Sequence, residues 1–260
     1  LQDNNMKINP VFIICLLLNT PLHASDIDRE QRMANEIADS VMDGEVIYLQ
    51  AANHSFLSIY MPTEITPAKG AIIILHGRGF HPDWEDVVYP LRTGLPEKGW
   101  HTLSIQMPVL DKNAKYYDYL PIIPESFPRL EAAVQFLKNE NIHNIILIAH
   151  SCSVHMSTTW LEENPDRDIN AYIGIGIGAT DYKQPMKKPF AFQQLNFPVL
   201  DIFGSNDYPA VTKQAARRLE QIKQAGHPKS VQRQVTDADH YFTDKGEELL
   251  KEITAWLDTL

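Results

Sequence analysis

The stretch that most constrains this chain is Ile145-Ile146-Leu147-Ile148-Ala149-His150-Ser151-Cys152-Ser153. It begins as a continuous run of β-forming apolar residues, the pattern of a strand buried on both faces. It then breaks into small polar residues, and Cys152, Met156 and Trp160 follow at i, i+4 and i+8, the spacing of a helix. A buried strand that passes straight into a helix through small-x-Ser-x-small predicts a tight, strained turn. Such a turn lifts the serine Oγ over the sheet edge and admits only small residues two positions to either side. Its common form has glycine at both flanks; here they are Ala149 and Ser153. Sterics set the register, because a turn centred on Cys152 would put His150 and Val154 at the crowded positions. Ser151 is therefore the candidate nucleophile, and Cys152 is assigned its backbone N–H as a donor to an oxyanion.

The rest of the chain supplies a setting for that turn. Residues 25–42 are charged, with Ile27, Met33, Ile37 and Val41 on one face, and predict a surface helix. Residues 45–50 and 55–60 predict a hairpin. Apolar strands follow at 71–75, 101–105, 145–150, 169–177 and 199–203, with a last strand at 231–235. Between them lie amphipathic helices at 84–98 (Val87, Val88, Leu91 and Leu95 inward) and 127–138 (Leu130, Val134 and Leu137 inward). A further helix carries Val211, Ala215, Leu219 and Ile222, and the last carries Leu249, Ile253 and Trp256. This alternation predicts an α/β fold: a mostly parallel central sheet with helices on both faces and an antiparallel N-terminal hairpin. No repeat or interdomain linker interrupts residues 25–260, which read as a single domain.

A serine nucleophile needs a base, and the base needs an acid to orient it; in this architecture they follow in the order Ser, Asp or Glu, His. Asp207 comes after the apolar strand 199–203 and a glycine turn, and His240 lies in the loop after the last strand. Asp201, inside its strand, reads as a structural carboxylate. After the first parallel strand comes His76-Gly77-Arg78-Gly79-Phe80, where a second oxyanion amide is expected from Arg78 or Gly79. The Arg78 side chain could bind an acidic substrate group or be solvated. His76 and His150 read as scaffold, and no pair of Cys or His residues has metal-ligand spacing, so neither metal nor cofactor is expected. Two long stretches, 108–125 and 181–197, leave the carboxyl ends of strands and read as irregular loops walling a substrate cleft. Loops anchored to the body by their aromatics are the equal alternative. Tyr116, Tyr117, Tyr119 and Tyr241 are the candidate substrate-binding side chains.

With 33 acidic against 23 basic side chains the formal charge is −10, which argues against nucleic acid or an anionic membrane as partner. A small-molecule or acyl substrate fits better. At the amino end, Met6-Lys7 is followed by an apolar run, Val11 to Leu18, and then by Asn19-Thr20-Pro21-Leu22-His23-Ala24. A basic start, a run too short for a stable membrane span and a small residue before the break predict a signal peptide over residues 1–24, with 1–5 upstream of its start, and hence a periplasmic or secreted protein. Cys15 would leave with it, so Cys152 would have no disulfide partner.

With these residues in view, the chain resembles an α/β-hydrolase over about residues 45–258. The segment Gly79-Phe80-His81-Pro82-Asp83-Trp84, with Pro90-Leu91-Arg92, Lys98-Gly99-Trp100 and Gln106-Met107-Pro108, is similar to a bacterial family of exported α/β-hydrolase-like proteins of uncharacterised function. The first expectation is a serine hydrolase, carboxylesterase-like, that cleaves an ester, thioester or amide through Ser151, His240 and Asp207. The second is a binding or envelope-assembly protein that keeps the fold without turnover. A peptidase or depolymerase with the same triad would differ only in its pocket.

Overall fold

A computed structural model describes residues 24–163 and 167–260. The segment read as a signal peptide, Cys15 included, lies outside the described residues except for Ala24. In chain order the elements are α1 (Ile27–Ala38), β1 (Glu45–Ala51), β2 (His54–Met61), β3 (Gly70–Leu75), α2 (Val88–Gly94), β4 (Trp100–Ile105), α3 (Tyr116–Tyr119) and α4 (Phe127–Asn139). They continue with β5 (Ile145–His150), α5 (Cys152–Glu163), β6 (Ala171–Ile175), β7 (Val199–Gly204), α6 (Pro209–Thr212), α7 (Ala215–Gln224), β8 (Val231–Val235) and α8 (Gly246–Leu257).

The strands form one sheet in the order β1-β2-β4-β3-β5-β6-β7-β8. β1 and β2 pair antiparallel, β2 joins β4 antiparallel, and every later pairing is parallel. Successive side chains of a strand point to opposite faces, so an all-apolar strand feeds two cores. Ile72, Ile74, Ile146 and Ile148 pack under α2 and α8 with Leu91, Leu249, Ile253 and Trp256. Ile73, Leu75, Leu147 and Ala149 face the other way, against Leu130 and Leu137 of α4, Met156 and Trp160 of α5, and Ile222 of α7. The chain runs from β3 to β4 on one side and then returns to β5 on the other. This places a crevice between the carboxyl ends of β3 and β5, where the connections diverge.

Several boundaries differ from the sequence expectation for identifiable reasons. The helix expected over 84–98 begins only at Val88 and passes into a 3-10 turn at Pro96–Lys98. Pro90 has no N–H to donate and is tolerated only in a first turn, so it sets the start. Val87, Val88, Leu91 and Leu95 are nonetheless buried, while Trp84 stacks on Phe80 with ring centroids 3.7 Å apart. The helix expected through Val211 and Ile222 is broken into α6 and α7, and the break resets the phase: Arg218 turns inward in place of Leu219. The strand expected over 169–177 stops at Ile175, before Gly176 at φ +63°. The two stretches read as irregular are partly helical: α3 runs into a 3-10 turn at Leu120–Ser126, and Phe192–Gln194 forms another.

α1 lies against β2, but Ile27, expected inward, is 39% exposed, and Glu30 is buried instead. Its carboxylate accepts from both Arg129 Nη atoms (2.7 and 3.1 Å) and from the Val109 N–H (3.2 Å). Arg129 is itself wholly buried. Removing one partner of such a pair strands the other charge out of water. Glu30→Ala is therefore expected to cost about 3–5 kcal/mol, read as a lowered midpoint in urea unfolding with unchanged slope; a shift no larger than that of an exposed Glu36→Ala control would refute it.

Candidate active site

Ser151 sits between β5 and α5 at φ +55°, the left-handed region that a side chain adopts only at a cost. Its N–H donates to the Ile175 carbonyl at 2.9 Å, which pins the turn to the neighbouring strand β6. The two residues that replace glycine fit. Ala149 is fully buried in β5, and the Ser153 hydroxyl donates to the His76 carbonyl at 2.5 Å. Ser153 thus ties the serine turn to the loop that follows β3.

His240 and Asp207 converge on this serine. His240 Nε2 lies 2.8 Å from Ser151 Oγ, and Nδ1 lies 2.7 Å from Asp207 Oδ1. A carboxylate can only accept, so Nδ1 carries the ring proton and Nε2 presents its lone pair to the serine hydroxyl. Asp207 Oδ1 also accepts from the Tyr208 N–H at 2.6 Å, and the Tyr208 ring stacks on His240 with centroids 4.5 Å apart. Space beside the imidazole requires glycine at 176, where an added Cβ would stand 2.7 Å from His240 Cε1. Asp201 is held elsewhere, by Arg218 Nε at 2.8 Å and Gln232 Nε2 at 2.7 Å.

Two further buried histidines hold the loops. His150 Nε2 donates to the His240 carbonyl at 3.0 Å. His76 Nδ1 donates to the Gly77 carbonyl at 2.7 Å, and its Nε2 accepts from the Met107 N–H at 2.9 Å. Burial pushes the pKa of each down to about 3, so both are neutral rings serving as hydrogen-bonding struts. Gly77 must be glycine, since a Cβ there would lie 2.8 Å from His150 Nδ1.

Ser151, Cys152, Arg78 and His240 line one cavity of about 440 Å³, in the size range of small-molecule sites. Cys152 opens α5, so its N–H is among those with no partner inside the helix. Its thiol is buried, and burial pushes its pKa up to about 12, far from a reactive thiolate. Of the two loop residues considered as the second donor, Arg78 borders the cavity. Gly79 does not, and its carbonyl accepts from Arg29 Nη2 at 3.2 Å. The Arg78 side chain, partly exposed, is engaged by protein: it forms a fork with Asp181, whose Oδ2 also accepts from the Tyr116 N–H at 2.7 Å.

Of the four tyrosines expected to bind substrate, Tyr116 and Tyr241 line the cavity. Tyr119 does not: its buried ring points into the body and its hydroxyl accepts from the Leu110 N–H at 3.0 Å. Tyr117 does not either, its hydroxyl donating to the Pro185 carbonyl at 3.1 Å. Tyr116 and Tyr119, three residues apart, both turn inward from α3, and Tyr117 points away; of the inward pair only Tyr116 reaches the cavity. Phe80, Tyr182 and Tyr208 line the cavity although the sequence reading passes over them. Each had a usable signal: Tyr208 directly follows Asp207, Phe80 closes the expected oxyanion loop, and Tyr182 lies in the stretch 181–197 expected to wall the cleft. Among the described residues no cluster of His, Cys, Asp and Glu could hold a metal ion, and no helix is long and apolar enough to cross a membrane.

The same architecture occurs in solved structures. A serine hydrolase homologue from Coxiella burnetii is 17% identical with a TM-score of 0.61, covering 83% of this chain and 98% of its own. Est1E from Butyrivibrio proteoclasticus, solved with ferulic acid bound, is 13% identical with a TM-score of 0.64, covering 81% and 97%. An esterase from Pyrococcus furiosus is 18% identical with a TM-score of 0.62, covering 83% and 91%. At such identities the likeness establishes the α/β-hydrolase fold and nothing finer. The curated proteins contain no match to this sequence. Residues 18–119 and 123–259 match a family described as proteins of unknown function, DUF3530, and the chain belongs to that family.

Proposed function

We propose that this chain is a serine hydrolase of carboxylesterase type, cleaving an ester, thioester or amide through an acyl-enzyme at Ser151. The observation that carries the reading is the unbroken relay from Ser151 Oγ through His240 to Asp207, mounted on a serine with positive φ and open to a cavity. The esterases among its structural neighbours agree with it.

In this mechanism Ser151 Oγ bonds to the acyl carbon as its proton passes to His240 Nε2, and the carbonyl π pair moves onto oxygen. The amides of Cys152 and Arg78 receive that oxyanion. Collapse breaks the bond to the alcohol, thiol or amine, which takes the proton from His240. Water then attacks the acyl-serine with His240 again as base, the acid departs, and Ser151 regains its proton. Asp207 holds the imidazole and stabilises its charged form. The composition of residues 6–24 supports export, which would place this activity in the cell envelope or outside the cell.

A fluorophosphonate probe tests the nucleophile directly. Purified protein should label at one site, and Ser151→Ala should not label. Folded wild-type protein that stays unlabelled would refute the proposal and favour a binding protein of the same fold.

A further inference from the structure

A second cavity, of about 230 Å³, shares one lining residue with the cavity at Ser151, Tyr116. Its walls are mostly apolar: Leu120, Ile123 and Pro124 from the turn after α3, and Phe190 from the facing loop. The charged residues bordering it, Glu162 and Lys188, pair with each other. His155, packed at a tilt between Tyr116 and Phe190 with centroids 4.9 Å from each, is neutral, because burial lowers its pKa to about 4. No uncompensated charge is left to receive a carboxylate or phosphate. The lining suits an uncharged alkyl chain.

The ring that borders both spaces is not what holds its own backbone. The Tyr116 N–H is bound to Asp181 Oδ2, and the next N–H, of Tyr117, donates to Gln184 Oε1 at 2.9 Å. α3 is therefore fastened by main-chain donors, and the Tyr116 side chain can be cut back while those anchors stay.

We propose that Tyr116 is the residue that sets acyl-chain length: its ring ends the acyl site of the triad cavity, and the apolar cavity behind it becomes the berth for the end of a longer alkyl chain when that ring is removed. The proposal rests on the acyl-enzyme chemistry assigned above. One methylene gained or lost in an apolar pocket changes kcat/KM by about 10- to 200-fold. The geometry thus requires a large and directional change in preference.

The experiment compares kcat/KM for p-nitrophenyl butanoate and octanoate. The octanoate-to-butanoate ratio should rise at least about tenfold in Tyr116→Ala and stay at the wild-type value in Tyr116→Phe, which keeps the wall. Adding Thr159→Trp, a substitution that fills only the second cavity, should bring the ratio of Tyr116→Ala back toward wild type. If the alanine variant does not fold by circular dichroism, Tyr116→Leu, which also removes the ring, is read in its place. An unchanged ratio in a variant that still hydrolyses the butanoate overturns the inference and leaves the proposed function standing, as does a gain that Thr159→Trp fails to reverse. A wild type inert to both esters and to the fluorophosphonate removes the proposed function, and this inference with it.

Discussion

Ser151→Ala should lower kcat on p-nitrophenyl butanoate by about 10⁶-fold while leaving the unfolding midpoint close to that of the wild type. The size follows from the relay. Without Oγ there is no atom to form the acyl-enzyme, and His240 loses the group that its lone pair faces at 2.8 Å. His240→Ala should cost a similar factor, because an unassisted serine hydroxyl is a weak nucleophile. The double variant should be little worse than either single one, since the groups act as a unit and the residual rate comes from the oxyanion donors and the pocket. Asp207→Asn should cost about 10⁴-fold, as it takes away the acceptor that fixes the imidazole tautomer. Losses that multiply between Ser151→Ala and His240→Ala would mean two independent roles, and the relay would have to be given up as the catalytic device.

Acid should destabilise this protein steeply, beginning as pH falls into the ordinary histidine range. His76, His150 and His155 are buried and neutral, with pKa values pushed down to about 3, about 3 and about 4. In the unfolded chain each returns to about 6.5. Between these limits the unfolded state binds more protons than the folded one, so stability falls as pH falls, starting near the unfolded value and ending near the folded values. Each proton contributes about 1.4 kcal/mol per pH unit, and three together approach about 4 kcal/mol per pH unit. Urea titrations between pH 7.5 and 5 measure this slope directly. His155→Phe keeps a ring between Tyr116 and Phe190 and deletes one titrating group, so it should remove about a third of the slope. A stability flat across that interval would show that these rings protonate in place.

What could be read from residue order differed from what needed three dimensions. Ser151, Asp207 and His240 each follow a parallel strand, apolar in β5 and β7 and amphipathic in β8, and parallel strands deliver their following loops to one sheet edge, so strand order alone brings the three to a common place. The two cores were legible for the same reason, in the unbroken apolar runs of β3 and β5. Side-chain direction within a short turn was not: Tyr116, Tyr117 and Tyr119 share composition and neighbourhood, yet a residue's face depends on a helical phase that Pro121 and Pro124 obscured. Pairings between distant segments left no local trace. Glu30 with Arg129, Asp201 with Arg218 and Arg78 with Asp181 each join a charge to a partner in another element, 99, 17 and 103 residues away. Arg218 and Glu30 also spoiled the expected helix faces, because a buried ion pair takes positions that a hydrophobic pattern assigns to leucine or isoleucine.

The strand order described above also determines when this molecule can act. The proposed nucleophile follows the fifth strand, the proposed acid the seventh and the proposed base the eighth, an edge strand hydrogen-bonded on one side only. Proteins of this build assemble their chemistry in the sequence in which they are synthesised, and the member that abstracts the proton comes last. A chain released or cleaved before residue 240 carries an inert serine however well its first strands have packed. Under the proposed function, activity therefore waits on completion of the fold.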